Sequence, residues 1–302
     1  MKFYKSDLFK GFAAANLFAF LLIGILKYTA LQGSNTLIFS IFVIIPLMMG
    51  IIASWFWRNL DFKSRTLLGN SILNGALAIL FSAVFLREGV ICLIIVSPLI
   101  LTFIITGAFL GHRMFKKNNQ KLNVSIISLL FVVFIADSLS SHDHVNMVSD
   151  EIIVKASPEK IWKNVVAFEK IKQKDQFWLF RVGMPSPMQT TVEGYHQGAG
   201  RKCIFSNGYT FDEKIVTYKP NEDLTFRITG QPLDPEIMGH IDIQQGQFLL
   251  KDNGNGTTTL TGNSWYKLHV FPLWYYDLWA ESITRNVHLR VMEHIKQLSE
   301  NK

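Results

Sequence analysis

Cysteine is close to absent. Cys92 and Cys203 are the only two in 302 residues, and each stands in an isolated context. That excludes a disulfide scaffold. With no CxxC pair, no Cys/His ligand spacing and no glycine-rich phosphate loop, neither a metal nor a resident cofactor is expected. No nucleic-acid-binding motif occurs either, so nucleic acid is not an expected partner. Charge is scarce as well, at 18% of the residues, against about a quarter in an ordinary soluble domain. Apolar residues make up 49% and aromatics 13%, which excludes disorder as the main state.

The scarcity of charge is uneven. Residues 1–141 hold 12 Lys/Arg and 4 Asp/Glu, whereas residues 142–302 hold 18 and 19. The net charge of +7 is thus a property of the first half. Its basic residues sit in short gaps between apolar runs, a pattern of membrane topology rather than of a nucleic-acid face. A spanning helix needs about 20 mostly apolar residues. Five stretches meet or approach this: 8–30, 37–57, 66–86, 89–111 and 122–140. The third and fourth are parted only by Arg87-Glu88, which predicts a tight hairpin. The fifth is interrupted, because its continuous apolar part ends at Ala136, just before Asp137. Tyr28-Thr29-Ala30 is a poor cleavage site, so the first run reads as a retained helix rather than a signal peptide.

Orientation follows from the basic residues. Lys2, Lys5 and Lys10 precede the first span; Arg58, Lys63 and Arg65 follow the second; Arg113, Lys116, Lys117 and Lys121 follow the fourth. The alternate gaps offer only Lys27 and Arg87. Five spans with a cytoplasmic N-terminus require this alternation, which predicts a multi-pass cell-membrane protein with an extracytoplasmic C-terminal half. If 122–140 only lies on the surface, that half becomes cytoplasmic. Within the spans, Asn70 and Asn74 lie near Gly69 and Gly75, and Pro46 and Pro98 interrupt spans two and four. Such groups mark either a transport pathway or close helix packing, and the lack of a mid-membrane charge favours packing. Trp55 and Trp57 fit an aromatic belt at the end of span two.

The chain changes character after 142–149, which reads as a linker. Its His142-Asp143-His144 could hold a metal, but a solvated connector is the simpler reading. From 150 to 302 the pattern is soluble. A strand at 151–155 precedes a helix that Ser157 can cap and Pro158 can open. Strands follow at 190–194, 201–206, 209–218, 223–229, 240–251 and 257–270, separated by turn signals such as Ser206-Asn207-Gly208 and Asp252-Asn253-Gly254-Asn255-Gly256. A long helix closes the chain at 273–299, with Trp279, Ile283, Val287, Val291 and Ile295 as its apolar face. The predicted fold class is an all-α transmembrane bundle followed by an α+β domain with an antiparallel sheet.

Several strings here carry a resemblance. Ala156-Ser157-Pro158-Glu159-Lys160-Ile161-Trp162, after a short strand, resembles the opening of the START-like superfamily, also called SRPBCC or polyketide cyclase/dehydrase-like. Gly208-Tyr209-Thr210-Phe211-Asp212-Glu213-Lys214-Ile215, with Tyr218-Lys219-Pro220 and Leu224-Thr225-Phe226, resembles its central hairpin. Phe248-Leu249-Leu250 before residues 254–259 resembles the next one. The resemblance covers the soluble half only. It implies a helix-grip fold: a curved sheet around the terminal helix, with a hydrophobic cavity between them. It does not imply one activity, since the superfamily holds lipid carriers, cyclases, hydrolases and receptors.

Strand parity nominates the residues that would line such a cavity. Tyr209, Phe211, Glu213 and Ile215 share a face, as do Arg201, Cys203 and Phe205, and as do Leu224, Phe226 and Ile228. Ser264, Tyr266 and Leu268 point inward, and Trp279, Ile283 and Val287 come from the helix. The expected ligand-binding set is Arg201, Phe205, Tyr209, Phe211, Glu213, Phe226, His240, Tyr266, Trp279 and Ile283. Glu213 is the one catalytic candidate. A carboxylate among aromatics must be paired or shift its pKa, and Arg201 or His240 could pair with it. A structural ion pair is the simpler reading. Cys203 reads as packed core, His288 and His294 as surface or rim residues. The expected function is therefore a membrane-held module that binds a lipid- or isoprenoid-like molecule, with membrane lipids as partners. The alternatives are a cyclase or hydrolase using Glu213, and a sensory or interaction protein without ligand chemistry.

Overall fold

The computed structural model describes residues 6–29, 40–86, 89–115, 128, 132, 144–232, 240–270 and 272–300. The chain divides into two compact units: Met1–His142 with His269–Pro272, and Asp143–Leu268 with Leu273–Lys302.

The first unit is helical. Its helices are α1 (Asp7–Thr29), α2 (Ile45–Trp57), α3 (Ser64–Phe81) and α4 (Val90–Met114). Wider π-helical turns precede α2 at Ser40–Ile44 and continue α3 at Ser82–Leu86. Three helical runs are long and apolar enough to cross a membrane: Asp7–Ile25, Ser64–Phe85 and Val90–Met114. The second run, Phe42–Trp57, is also apolar but shorter. Of the expected span 122–140, only Ser128 and Val132 fall among the described residues, both helical.

Small residues let these helices meet at backbone distance. A Cβ on Gly107 would lie 2.0 Å from the Leu47 carbonyl oxygen, and one on Gly50 would lie 2.1 Å from the Ile104 carbonyl oxygen. The Asn74 side chain is fully buried and accepts a hydrogen bond from Asn16 Nδ2 at 2.8 Å, across α1 and α3. Asn70 is half-buried and donates to Thr66 O of its own helix at 2.9 Å. Trp57 corrects the aromatic-belt expectation: it is 2% exposed. Its indole lies over Gly11, donates to Leu8 O at 3.1 Å and packs edge-on to Phe12. A polar indole edge is stable there because its one donor is satisfied.

The second unit opens with β1 (His144–Val154). Residues 144–149, expected in a linker, are therefore the first half of a strand. Two short helices follow, α5 (Pro158–Val166) and α6 (Trp178–Arg181). Ser157 holds the N-cap position of α5 but makes no cap bond. Its hydroxyl instead bonds the Glu159 carboxylate and holds that group below its usual pKa. Then come β2 (Pro187–Val192), β3 (Gly200–Phe205), β4 (Thr210–Lys219), β5 (Asp223–Gly230), β6 (Ile241–Asp252) and β7 (Thr258–Leu268). The long helix α7 (Leu273–Glu300) ends the unit.

The seven strands form one antiparallel sheet in the order β1-β7-β6-β5-β4-β3-β2. The sheet curls into a half-barrel with α7 on its concave side, the helix-grip arrangement. One end of the concavity is filled. Ile161, Trp162, Val165, Phe168, Leu224, Phe248, Leu260, Val291, Met292 and Ile295 form its core. Burial of this kind stabilises by roughly 1.5–3 kcal/mol for each large side chain. Toward the start of α7, Tyr266, Asp277 and Asn146 form a polar group.

Candidate functional site

The rows of the sheet set the site. Arg201 pairs across the ladder with Glu213, and Glu213 with Ile228. Cys203 pairs with Phe211. In the next rows Phe226 faces Gly246, and Gly246 faces Ser264. These residues all face the concave side, because the pleat sends alternate residues the same way, and Gly246, with no side chain, leaves space for the Phe226 ring.

Arg201 and Glu213 form a buried ion pair, 3% and 6% exposed. Arg201 Nη1 donates to Glu213 Oε2. Arg201 Nε donates to Val166 O at 3.0 Å, and the guanidinium carbon lies 4.4 Å from the Phe226 ring centre. The cation is thus fixed by a carboxylate, a carbonyl and a π face together. Burial pushes the Glu213 carboxyl up from its ordinary value, against the downward pull of Arg201. The same burial, with the Glu213 carboxylate beside it, pushes the Cys203 thiol up to about 12. A thiol held that high offers little thiolate at neutral pH.

The other expected residues divide. Phe205 and Phe211 meet with ring centres 5.1 Å apart, and Phe226 meets Phe248 at 6.2 Å. Trp279 contacts Trp178 and Tyr275 on the α7 side, and Ile283 is half-buried one turn further on. Tyr266 is fully buried, and its hydroxyl donates to Asp277 Oδ1 at 2.8 Å. Asn146 Nδ2 joins the same carboxylate at 2.9 Å. Two expectations are corrected. Tyr209 falls in the turn before β4 and is 36% exposed, because Gly208 at φ +86° ends the hairpin one residue later than parity assumed. His240 is half-buried in the turn before β6, and the cation that meets Glu213 is Arg201.

β5 and β6 stop pairing beyond Arg227 and Gln245. Gln231 bridges the fork: its amide donates to Ile241 O and accepts from Ile243 N, both at 2.9 Å. An open pocket of about 700 Å³ lies there, lined largely by polar residues (Arg227, Thr229, Gln231, Asp242 and Gln245) with Ile228 and Trp265; Arg201, Glu213 and the Phe205, Phe211 and Phe226 rings do not line it. Ile228 borders both this pocket and the Arg201–Glu213 row.

A second polar group was not foreseen. His288, which the sequence reads as a surface or rim residue, is 6% exposed. Its Nε2 lies 2.7 Å from Ser264 Oγ and its Nδ1 2.9 Å from Asp150 Oδ2. Asp150 Oδ1 meets Arg285 Nε at 3.2 Å. Gly262, paired with Asp150 across the ladder, leaves space for Met292, whose Sδ would lie 2.8 Å from a Cβ added there. Burial pulls the His288 pKa below its usual value, opposed by Asp150. His294 is buried too, bonding Glu169 O at 3.0 Å. The missed signal was a buried stripe on α7 running through Ala280, Thr284, His288, Val291 and Ile295.

No family model and no curated protein matches this chain. Among solved structures it is similar to truncated norcoclaurine synthase from Thalictrum flavum. There the identity is 12%, the TM-score 0.38, and the match covers 54% of this chain and 99% of that one. It is also similar to protein MLL2253 from Mesorhizobium loti, at 18% identity and TM-score 0.35, covering 51% and 96%. Protein CV1439 from Chromobacterium violaceum matches at 12% identity and TM-score 0.34, covering 52% and 99%. Among the described residues no group of His, Cys, Asp and Glu is placed to hold a metal ion.

Proposed function

We propose that this protein is a multi-pass membrane protein whose helix-grip unit binds an apolar molecule with a polar head, of lipid or isoprenoid class. The observation that carries the reading is the buried Arg201–Glu213 pair set beside the Phe226 ring and on the same sheet face as Phe205 and Phe211. Small-molecule sites combine an apolar lining with a few fixed polar groups in this way. The aromatic rings take the chain of the ligand, and the ion pair orients its head. Phe205, Phe211, Phe226, Trp279 and Ile283 form the apolar lining, with Arg201 and Glu213 at the polar end. Three apolar helices of spanning length support the membrane assignment. The alternation of basic gaps supports a cytoplasmic N-terminus, and with 122–140 as a fifth span the C-terminal unit lies on the other side.

The test is direct. The full chain is purified in detergent, extracted with organic solvent and analysed by mass spectrometry. A stoichiometric apolar molecule, lost from the R201M/E213L double variant, is the expected result. An empty extract, with no thermal stabilisation by a lipid panel, refutes the reading. A reporter fused after Lys302 tests orientation, and activity on the cytoplasmic side refutes the five-span arrangement.

A further inference from the structure

Ser264, His288 and Asp150 come from β7, α7 and β1, and nothing in the ligand-binding reading uses them. Their bonds run in a fixed sense. An ionised carboxylate only accepts, so His288 Nδ1 carries the hydrogen that meets Asp150. Nε2 then presents its lone pair to the Ser264 hydroxyl at 2.7 Å. Arg285 holds the second oxygen of Asp150 and so fixes the carboxylate that fixes the ring. Ser264 is half-buried, while His288 and the Asp150 side chain are 6% and 10% exposed. The imidazole at the centre of the chain is thus shielded from bulk water.

We propose that these residues form a nucleophile–base–carboxylate triad that hydrolyses esters with an apolar acyl chain. The choice of an apolar chain rests on the ligand-binding reading above; the triad itself does not. Ser264 Oγ attacks the ester carbonyl carbon while His288 Nε2 takes the serine proton. The tetrahedral adduct collapses, the ester C–O bond breaks, and the proton passes from Nε2 to the leaving alcohol. Water then attacks the acyl-Ser264 carbonyl and gives a proton to Nε2. Collapse releases the carboxylic acid and returns that proton to Ser264. The sum is ester plus water to acid plus alcohol, with no further reactant. Ser264 and His288 are the catalytic residues, and Asp150 is a positioning residue that sets the tautomer. A desolvated imidazole stays neutral at pH 7, which leaves the base free to act. Asp150 on β1 and Arg285 on the same helix are the charged groups that set its titration.

The experiment uses the full chain in detergent and an alkyl fluorophosphonate, a reagent that phosphonylates activated serines. The expected result is a single adduct, mapped by peptide mass to Ser264. H288Q is expected to slow labelling by about 100-fold or more, the usual scale of a general base. D150N is expected to slow it too. Turnover of a p-nitrophenyl acyl ester should fall on the acid side with a midpoint below about 6.5, the usual histidine value. An unlabelled wild-type chain, an adduct on another residue, or equal labelling of H288Q overturns the proposal. The wild-type map reads the site without any variant, so a variant that fails to fold does not blunt the test. The two readings separate cleanly. A bound apolar molecule with no adduct leaves the binding reading standing alone, and an adduct with an empty extract leaves only the triad.

Discussion

Removing one member of the Arg201–Glu213 pair should be far more costly than removing both. Glu213→Leu leaves the Arg201 guanidinium at 3% exposure, with only the Val166 carbonyl and the Phe226 ring as partners. Breaking a buried pair in this way costs about 3–5 kcal/mol. For a unit of this size, 1 kcal/mol shifts Tm by roughly 2–4 °C, so the fall should be about 6–20 °C. The double variant R201M/E213L replaces two desolvated charges by apolar groups of similar volume. Such exchanges are neutral or stabilise by about 1–4 kcal/mol, so its Tm should sit at or above wild type. The assay is calorimetry of the full chain in detergent, following the transition of the sheet-bearing unit. A single variant within 3 °C of wild type (about 1 kcal/mol), or a double variant as unstable as the single, would refute the reasoning. A stable double variant that has lost its apolar ligand would show that the pair is kept for recognition rather than for folding.

The pH dependence has a definite sign. Burial lowers the pKa of both His288 and His294 in the folded protein. Their contribution to stability is then full above the unfolded value of about 6.5 and lost as pH falls below it through the folded values. Tm at pH 5.5 should lie below Tm at pH 7.5, and an unchanged or higher Tm would contradict the burial. Gly107→Ala should loosen the α2–α4 contact, because its Cβ would lie 2.0 Å from Leu47 O. We expect a loss of about 1–3 kcal/mol, read as earlier thermal aggregation in detergent. Asn74→Ala should cost about 0.6 kcal/mol and no more than about 1.7, the range of hydrogen bonds between membrane helices. A much larger loss measured by steric-trap unfolding would point to a role beyond packing.

The strands of the C-terminal unit were legible because their ends are written in turn residues. Ser206-Asn207-Gly208 and the Asp252–Gly256 stretch place hairpins without help from tertiary structure. The first half of β1 was not legible. Its outward side chains carry little pattern, and its partner β7 begins more than a hundred residues later. Strand parity puts Glu213 among aromatics and so requires a partner for it, but leaves Arg201 and His240 both open; the β3–β4 register decides for Arg201. The Ser264–His288–Asp150 chain was not legible. A repeat of four residues on α7 selects Trp279, Ile283 and Val287, but a helix turns every 3.6 residues. Over 28 residues the buried stripe drifts, and it passes through His288 and His294. A polar residue on that stripe reads as surface until the serine and aspartate facing it are known. Trp57 misled for a related reason: an indole next to basic residues looks interfacial, and the glycine that receives it lies 46 positions earlier, at Gly11.

The pairing of β1 with β7 also has a consequence in time. His144 meets Leu268 and Val154 meets Thr258, so the first strand of the unit to leave the ribosome waits for the last. At about 5–20 residues per second, the wait is roughly 5–20 s. Through that interval neither edge of the strand has a ladder partner, and Val145, Met147 and Ile153, exposed even in the finished sheet, are open to other chains. An unpaired apolar edge is a template for aggregation. A circular permutant that joins β1 directly after β7 removes that wait and should aggregate less on refolding.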